Sequence, residues 1–230
     1  MKMKTKKSRL KPKSALKTRP KFIALEGGEG SGKSSLIIAL KDVFDDPDCP
    51  IITTREPGGS PYAEVIRNAA LKDPLAGSAL PETMLCLMFA SRYDHVKNTV
   101  VPALESGISV ITDRFDASSF AYNVVAQSGG GLAEVFWHMR KRLAKVPDLY
   151  IYIDVTSEEG LRRARSRNQS FLDGNHFDDR EVDFHNLVRI GYGEFFKNES
   201  IRSVTIDGNR PLDQVKREFI SLIRNELQRK

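Results

Sequence analysis

Cysteine, histidine and long apolar segments are all scarce in this chain of 230 residues. Its two cysteines, Cys49 and Cys86, are too few for a disulfide framework, and four histidines without a Cys-x-x-Cys pair give no zinc-binding pattern. The longest apolar run, residues 84–90, is far shorter than the roughly 18 residues of a membrane span, and no apolar signal region follows the basic start. We therefore expect a reduced, cytoplasmic protein with no membrane association.

Acidic residues are absent from residues 1–21, although this segment holds ten of the 36 lysines and arginines. The remaining 26 basic residues are set against 30 acidic ones, so the rest of the chain is formally −4 while the whole chain is +6. Dense like charge, with Pro12 and Pro20, predicts that residues 1–21 form a disordered basic arm before one domain, residues 22–230. The arm either keeps the protein soluble, which we favour, or contacts nucleic acid or another acidic surface.

Short β-rich runs alternate with amphipathic segments in the rest of the chain. This alternation predicts βαβ crossovers, and therefore an α/β fold with a parallel sheet between layers of helices. Ligands of such sheets bind beyond the carboxyl ends of the strands, so the residues after each strand are the candidates for chemistry. The predicted strands are 22–26, 50–54, 108–112, 149–154 and 203–207, and the predicted helices are 33–45, 60–72, 81–105, 116–127, 131–145, 157–168, 179–198 and 211–229.

The clearest motif, G-x-x-x-x-G-K-S, follows the first predicted strand and precedes a helix. Its glycines allow backbone N–H groups to close around phosphate oxygens, and the helix N-terminus adds its dipole. Lys33 would bring a positive charge to the β- and γ-phosphates, and the Ser34 hydroxyl would bind Mg²⁺. The motif predicts an ATP-type site formed by Gly27, Gly28, Glu29, Gly30, Ser31, Gly32, Lys33, Ser34 and Ser35.

Two arginines also lie at predicted strand ends. Arg55 follows the second strand and Arg114 follows the third. A guanidinium can bind a phosphate through two parallel hydrogen bonds, so two of them opposite Lys33 would hold a second phosphorylated group. Asp113 occupies the strand end where a parallel-sheet NTPase holds its magnesium shell. These residues predict phosphoryl transfer to a phosphorylated acceptor.

Together with the phosphate loop, T-R-E-P-G-G at 54–59 and D-R-F-x-x-S-S-x-A-Y at 113–122 resemble the thymidylate kinase family. The resemblance runs from about residue 22 to the carboxyl terminus. It implies a three-layer P-loop NTPase fold, with a five-stranded parallel sheet flanked by helices and a helical lid at about residues 163–181. It also implies a homodimer that uses ATP and Mg²⁺ to convert dTMP to dTDP.

Carried over to matching positions, the resemblance gives several residues a role. Lys33 and Arg114 would be catalytic, and Ser34 and Asp113 would hold Mg²⁺. Contacts with dTMP are implied for Glu29 near the sugar, Arg55 and Arg114 at the phosphate, Arg92 at the thymine edge, Ser119 at the base and Tyr122 beside the 2′ position.

One departure from the family concerns the base. The family stacks thymine on a phenylalanine four residues before the base-reading arginine, where this chain has Met88. Either the Met88 thioether packs on the base, or a shift of helix register presents Phe89 instead. One residue is about 100° on a helix, so Phe89 cannot simply substitute. The change leaves open an alternative acceptor such as a 5-substituted deoxyuridylate.

A second departure concerns the lid. Residues 161–167, L-R-R-A-R-S-R, resemble the arginine-rich strip of bacterial-type members, and Gly30 stands where other members carry arginine. The family's later Asp-Arg pair aligns with Asn175 and His176. Arg167 is therefore the first candidate for the catalytic lid arginine and Arg163 the second, while the alignment does not support Arg180.

Two other functions were compared with this one. A deoxynucleoside kinase must deprotonate a hydroxyl group, and it would not need the phosphate clamp that Arg55 and its neighbours predict. A nucleotide-gated nucleic-acid binder would use the basic arm, and its DNA binding would be steeply salt-dependent. The spacing of the motifs favours the nucleoside monophosphate kinase over both.

Overall fold

A computed structural model describes residues 19–43, 50–168 and 181–229 of the chain, apart from the side chains of residues 42, 167 and 168. Most of the predicted basic arm and of the predicted lid lies outside these residues. Within them, no helix has the length and apolar character that a membrane span requires.

Five parallel strands of the described residues form one sheet in the order β2-β3-β1-β4-β5, which confirms the predicted α/β fold. Arg55 pairs in register with Asp113, and Asp113 with Leu25, so the carboxyl ends of β2, β3 and β1 lie side by side. The candidate residues of three loops therefore meet at one edge. The strands are β1 (Phe22–Gly27), β2 (Ile51–Arg55), β3 (Ser109–Asp113), β4 (Leu149–Asp154) and β5 (Ser203–Asp207).

Alternate residues of β1 point to opposite faces of the sheet and pack into two different cores. Both faces are therefore covered by helices. Phe22 and Ala24 belong to a largely aromatic core, and Ile23 and Leu25 belong to an aliphatic one. The helices are α1 (Lys33–Val43), α2 (Pro61–Leu71), α3 (Pro81–His95), α4 (Val101–Glu105), α5 (Asp116–Ser119), α6 (Ala133–Arg140), α7 (Ser157–Asn168), α8 (Val182–Phe196) and α9 (Leu212–Gln228), with a 3₁₀ turn at Ala76–Ser78.

Two predicted helices contain stretches of π-helix. Residues Val96–Val100 join α3 to α4 in this form, and Phe120–Gln127 continue α5. The first stretch precedes Pro102, which has no N–H and whose ring would clash with the carbonyl four residues earlier in a regular helix. The predicted helix 131–145 ends earlier, at Arg140, where i→i+3 bonds from Arg142 and Leu143 tighten the last turn.

Candidate active site

The phosphate loop connects β1 to α1 and is closed by Lys33. Its Nζ donates to the carbonyl oxygens of Gly27 and Gly28, at 2.8 and 3.0 Å, and to Ser31 Oγ at 3.0 Å. Gly30 and Gly32 have φ values of 64° and 91°, in the left-handed region that favours glycine. Burial, followed by the charge of Arg114, lowers the pKa of Lys33 to about 8. Lys33 is therefore a buried lysine that loses its charge only slightly above neutral pH.

Helix α7, which contains the first residues of the predicted lid, packs directly on this loop. A Cβ added to Gly30 would lie 1.9 Å from the carbonyl oxygen of Gly160, and a Cβ added to Gly160 would lie 2.5 Å from that of Glu29. The two backbones thus pack at a distance that only glycine allows. An arginine at position 30, as other family members carry, has no room here.

Arg114 lies beside the loop in an unusual backbone conformation, with φ at 68°. It is the one positive-φ residue other than glycine among the described residues, and such strain concentrates at functional sites. Its guanidinium donates to Glu29 Oε1 at 2.6 Å, to the Gly27 carbonyl at 2.9 Å and to Tyr192 Oη at 3.2 Å. The Tyr122 hydroxyl donates to the same Glu29 oxygen at 3.1 Å.

Glu26 holds the turn around Arg114 in place through hydrogen bonds. Its carboxylate accepts hydrogen bonds from the Phe115 N–H at 2.8 Å, from the Ser118 hydroxyl at 2.6 Å and from Tyr192 Oη at 3.3 Å. Burial raises the pKa of Glu26 to about 7, although the Ser118 hydrogen bond opposes the shift. Nothing in the sequence marks Glu26, which has the appearance of an ordinary strand-end residue.

Asp113 and Ser34 were predicted to hold Mg²⁺. Asp113 Oδ1 is buried without a hydrogen-bond partner, and the Asp113 charge acts on Lys33. Ser34 is exposed on the first turn of α1. Within the described residues no group of three or more His, Cys, Asp or Glu could hold a metal ion by itself. One carboxylate and one hydroxyl, completed by phosphates and water, fit Mg²⁺.

Arg55 and a second arginine, Arg67, lie close enough for their charges to interact. Arg55 is exposed and pairs with Glu64, its terminal nitrogen lying 3.0 Å from Oε2. Arg67 donates to the Pro57 carbonyl at 2.7 Å, and burial followed by the charge of Arg55 lowers its pKa. Nothing in the sequence marks Arg67, since only the folding of α2 against the 54–59 loop brings it here.

The Arg92 guanidinium makes several contacts but leaves one of its terminal nitrogens without a hydrogen-bond partner. Its Nε donates to Glu56 Oε2 at 2.7 Å and one terminal nitrogen donates to Ser119 Oγ at 2.9 Å. The guanidinium carbon lies 4.8 Å from the Phe89 ring centre and 5.0 Å from that of Phe115. The other terminal nitrogen, Nη1, is buried without a hydrogen-bond partner.

Phe89 lies in the aromatic core. Its ring is fully buried and packs on Phe136, Tyr93 and Arg92, which favours Met88 over Phe89 as the residue that would pack on the base. Met88 lies one helical turn before Arg92 and packs with Ala70, Ala76 and Met84. The α3 helix keeps its regular register through both residues.

The arginines of α7 have different surroundings. Arg163 donates to the Gly208 carbonyl at 2.8 Å and to Glu159 Oε1 at 2.6 Å, which directs it toward the β5–α9 loop. Arg162 pairs with Glu159 on the surface, and Arg165 is exposed. The side chain of Arg167, and residues Asn175, His176 and Arg180, lie outside the part of the chain that the structure describes.

Glu56 and His95 also have no distinctive signal in the sequence. Glu56 is one residue of the T-R-E-P-G-G string, and His95 is one of four scattered histidines. Both are buried, at 3% and 0% exposed, and they bond to each other. Their signal in the sequence is weak, since His95 is separated from the loop by 36 residues or more.

At this edge the phosphate loop, the Asp113 carboxylate and four arginines come together. One of the arginines, Arg92, has a buried N–H donor without a partner. The arrangement can hold a nucleoside triphosphate on one side and a phosphorylated, carbonyl-bearing molecule on the other.

Comparison with known proteins supports the same chemistry. The family model described as thymidylate kinase matches residues 25–219. The chain is similar to the thymidylate kinases of Chlamydia caviae (37% identical over 195 residues), Chlamydia felis (37% over 194) and Clostridium novyi (38% over 196). Each match covers 84% of this chain, and 92%, 91% and 93% of the three relatives respectively. The chain belongs to the thymidylate kinase family.

Proposed function

We propose that this protein transfers the γ-phosphoryl group of ATP to dTMP and releases ADP and dTDP. We infer the reaction from family membership, and the residues of the site support each of the two substrates. The observation that supports the acceptor best is the Nη1 group of Arg92, a buried donor without a partner one helical turn from Met88. A donor in this place suits a base that presents a carbonyl, as thymine does. A 5-substituted deoxyuridylate as the preferred acceptor is not favoured.

Phosphoryl transfer needs in-line positioning and neutralisation of charge more than covalent catalysis. Lys33 would bind the β- and γ-phosphates with the loop N–H groups, and Arg114 would bind the dTMP phosphate from the other side. No nucleophilic side chain is required, because an oxygen of the dTMP phosphate attacks the γ-phosphorus. Arg167 is our candidate for the lid arginine, since Arg163 is engaged by Gly208.

Mg²⁺ fits the exposed hydroxyl of Ser34 and the unpartnered oxygen of Asp113. When bound, it would neutralise charge on the phosphate oxygens. On the acceptor side we propose that Arg55 and Arg114 bind the phosphate, Glu29 and Tyr122 the sugar, and Met88, Arg92 and Ser119 the base. Arg67 is added to this set because of its place beside Arg55.

A homodimer is proposed from the resemblance. Large apolar side chains are exposed around α2 and the following turn, including Tyr62, Val65, Leu75 and Leu80. Light scattering at micromolar concentration would test it. A cytoplasmic location, and contact between the basic arm and nucleic acid, stay predictions, and residues 1–18 of the arm lie outside the described residues.

The test of the function is ADP formation with ATP and Mg²⁺ in parallel assays with dTMP, dUMP, 5-hydroxymethyl-dUMP, dGMP and thymidine. We expect turnover to be fastest with dTMP and absent with thymidine. Turnover of thymidine in place of dTMP would indicate a deoxynucleoside kinase. No turnover with any of the five would contradict the kinase function.

A further inference from the structure

Glu56 joins two buried side chains of α3. Its Oε2 accepts from Arg92 Nε at 2.7 Å, and its Oε1 lies 2.7 Å from His95 Nδ1. The three residues are at most 3% exposed. An ionised carboxylate only accepts hydrogen bonds, so Nδ1 of His95 is the donor of this pair. His95 therefore occupies one oxygen of Glu56 and leaves the other to Arg92.

The far side of the His95 ring is held as well. Its Nε2 lies 2.9 Å from Thr54 Oγ1. A Cβ added to Gly59 would lie 2.4 Å from that hydroxyl and 2.5 Å from Cδ2 of the ring, so the 54–59 loop closes against His95. Thr99 Oγ1, in the π-helical stretch that follows α3, donates to the Gly59 carbonyl at 2.7 Å and also holds the loop. Both ring nitrogens of His95 therefore have a hydrogen-bond partner.

This arrangement affects how Glu56 can bind Arg92. Carboxylate–guanidinium pairs commonly form two parallel hydrogen bonds. Here Oε1 is taken by His95, so Glu56 contacts Nε alone, and the neighbouring terminal nitrogen donates to Ser119. Without the His95 bond, Glu56 could close a two-point pair and draw the guanidinium away from Ser119. The direction of Nη1, the group without a partner, would change with it.

We propose that His95 is a positioning residue for base recognition. By holding the Glu56 carboxylate, it keeps Arg92 in the one orientation that leaves Nη1 available to a carbonyl of the acceptor base. This inference rests on the proposed function, because it concerns the same acceptor site. Since Glu56 directly follows Arg55, the contact also places the base-reading and phosphate-binding arginines in a common frame.

The test compares His95→Gln with His95→Asn. The asparagine amide can lie near the position of Nδ1 and retain a donor to Glu56, whereas the glutamine amide lies nearer Nε2 and loses it. We expect His95→Gln to raise the KM for dTMP about tenfold or more, and to lower the preference for dTMP over dCMP in kcat/KM by a similar factor. The KM for ATP should stay within about twofold of the wild type. His95→Asn should recover a large part of both losses.

Two further variants complete the experiment. His138→Gln makes the same change at an exposed histidine of α6, and should leave all constants at wild-type values. Thr54→Val removes only the hydroxyl bonded to Nε2, and gives a milder form of the defect if His95→Gln does not fold. Equal KM and equal discrimination in folded His95→Gln would overturn the proposal. A parallel loss in kcat and in the KM values of both substrates would do the same, since it would indicate a structural role.

Wild-type turnover separates this inference from the proposed function. If the wild-type protein does not phosphorylate dTMP, the function is wrong whatever the variants do. If it does and the variants do not differ as expected, only the role of His95 is wrong.

Discussion

Gly30 and Gly160 face each other across the junction of the 27–32 loop and helix α7, and neither position has room for a Cβ. The contact is made by backbone on both sides, so it cannot relax by a change of rotamer. Displacement of one segment must therefore be passed to the other. In our proposal α7 carries the lid arginines and the loop binds the ATP phosphates, so the placement of these arginines would depend on the loop.

Gly160→Ala tests this contact. The new Cβ would lie 2.5 Å from the Glu29 carbonyl and force the loop and α7 apart. We expect kcat/KM for ATP to fall at least about tenfold, because small misplacements of positioning groups cost this much or more. Steady-state kinetics at saturating dTMP would measure it.

Gly193→Ala is the matched control for that substitution. Gly193 is an exposed residue of α8 whose Cβ would meet no atom within 4 Å. The helix should gain up to about 1 kcal/mol of stability and the kinetics should not change. Unchanged kinetics in Gly160→Ala as well would contradict the coupling.

Met88 and Met84 separate packing from base recognition. Both are buried in one small cluster, one helical turn apart. Met88→Ala and Met84→Ala should each reduce the free energy of unfolding by about 2–3 kcal/mol in urea titrations. Met88→Ala alone should raise the KM for dTMP, by about tenfold, because its thioether packs on the base in our proposal. An equal rise in both variants would indicate that Met88 acts only through the core.

Proton uptake on ATP binding should reveal the charge of Lys33. With its pKa at about 8 in the free protein, Lys33 is mostly neutral at pH 8.5. Bound phosphates favour the charged form, so binding at pH 8.5 should take up as much as about 0.7 proton, and at pH 7 close to none. Calorimetry in two buffers of different ionisation enthalpy measures this number. No uptake at pH 8.5 would mean that Lys33 is fully charged before ATP binds.

Glu26 should make stability depend on pH in the opposite sense to a salt-bridged carboxylate. Its pKa rises from 4.5 to about 7 on folding, so between these values the folded state binds more protons than the unfolded state. Stability then falls as pH rises through this window, by up to about 3 kcal/mol from this group. Glu26→Gln lacks the dependence. Its stability relative to the wild type should therefore increase between pH 5 and pH 7.5 in urea titrations, and a constant difference would contradict the shift.

The sequence predicted most of what is encoded locally. Each strand end, the phosphate loop before Lys33 and the helical segments follow from periodicity and glycine spacing, and the structure places them within a few residues. The family motifs predicted that Arg55, Arg92 and Arg114 belong together. Parallel pairing of β2 and β3 brings the strand ends of Arg55 and Arg114 to one edge, and Arg92 of α3 reaches this edge through Glu56.

Long-range contacts could not be predicted in the same way. The bond between Glu56 and His95 links positions 39 residues apart, and the contact of Gly30 with Gly160 depends on how α7 packs. The burial of Phe89 is of the same kind. The aromatic core next to α3 decides which side of that helix is buried, and no local sequence pattern reveals this core. Pairs of this kind are set by the tertiary fold alone.

In our proposal, the distance between the two reacting phosphates has its origin in the sheet. Lys33 follows β1, Arg55 ends β2 and Asp113 ends β3, and hydrogen-bonded neighbouring strands lie about 4.8 Å apart. In the proposed complex, the gap between the donor and acceptor phosphates is therefore set by the spacing of neighbouring strands. The base, which we propose is read by α3, is not independent of this spacing, because Arg92 and His95 of α3 both bond to Glu56, the residue that follows the end of β2. A change in the residues that read the base would therefore also act on the strand end that we propose holds the acceptor phosphate.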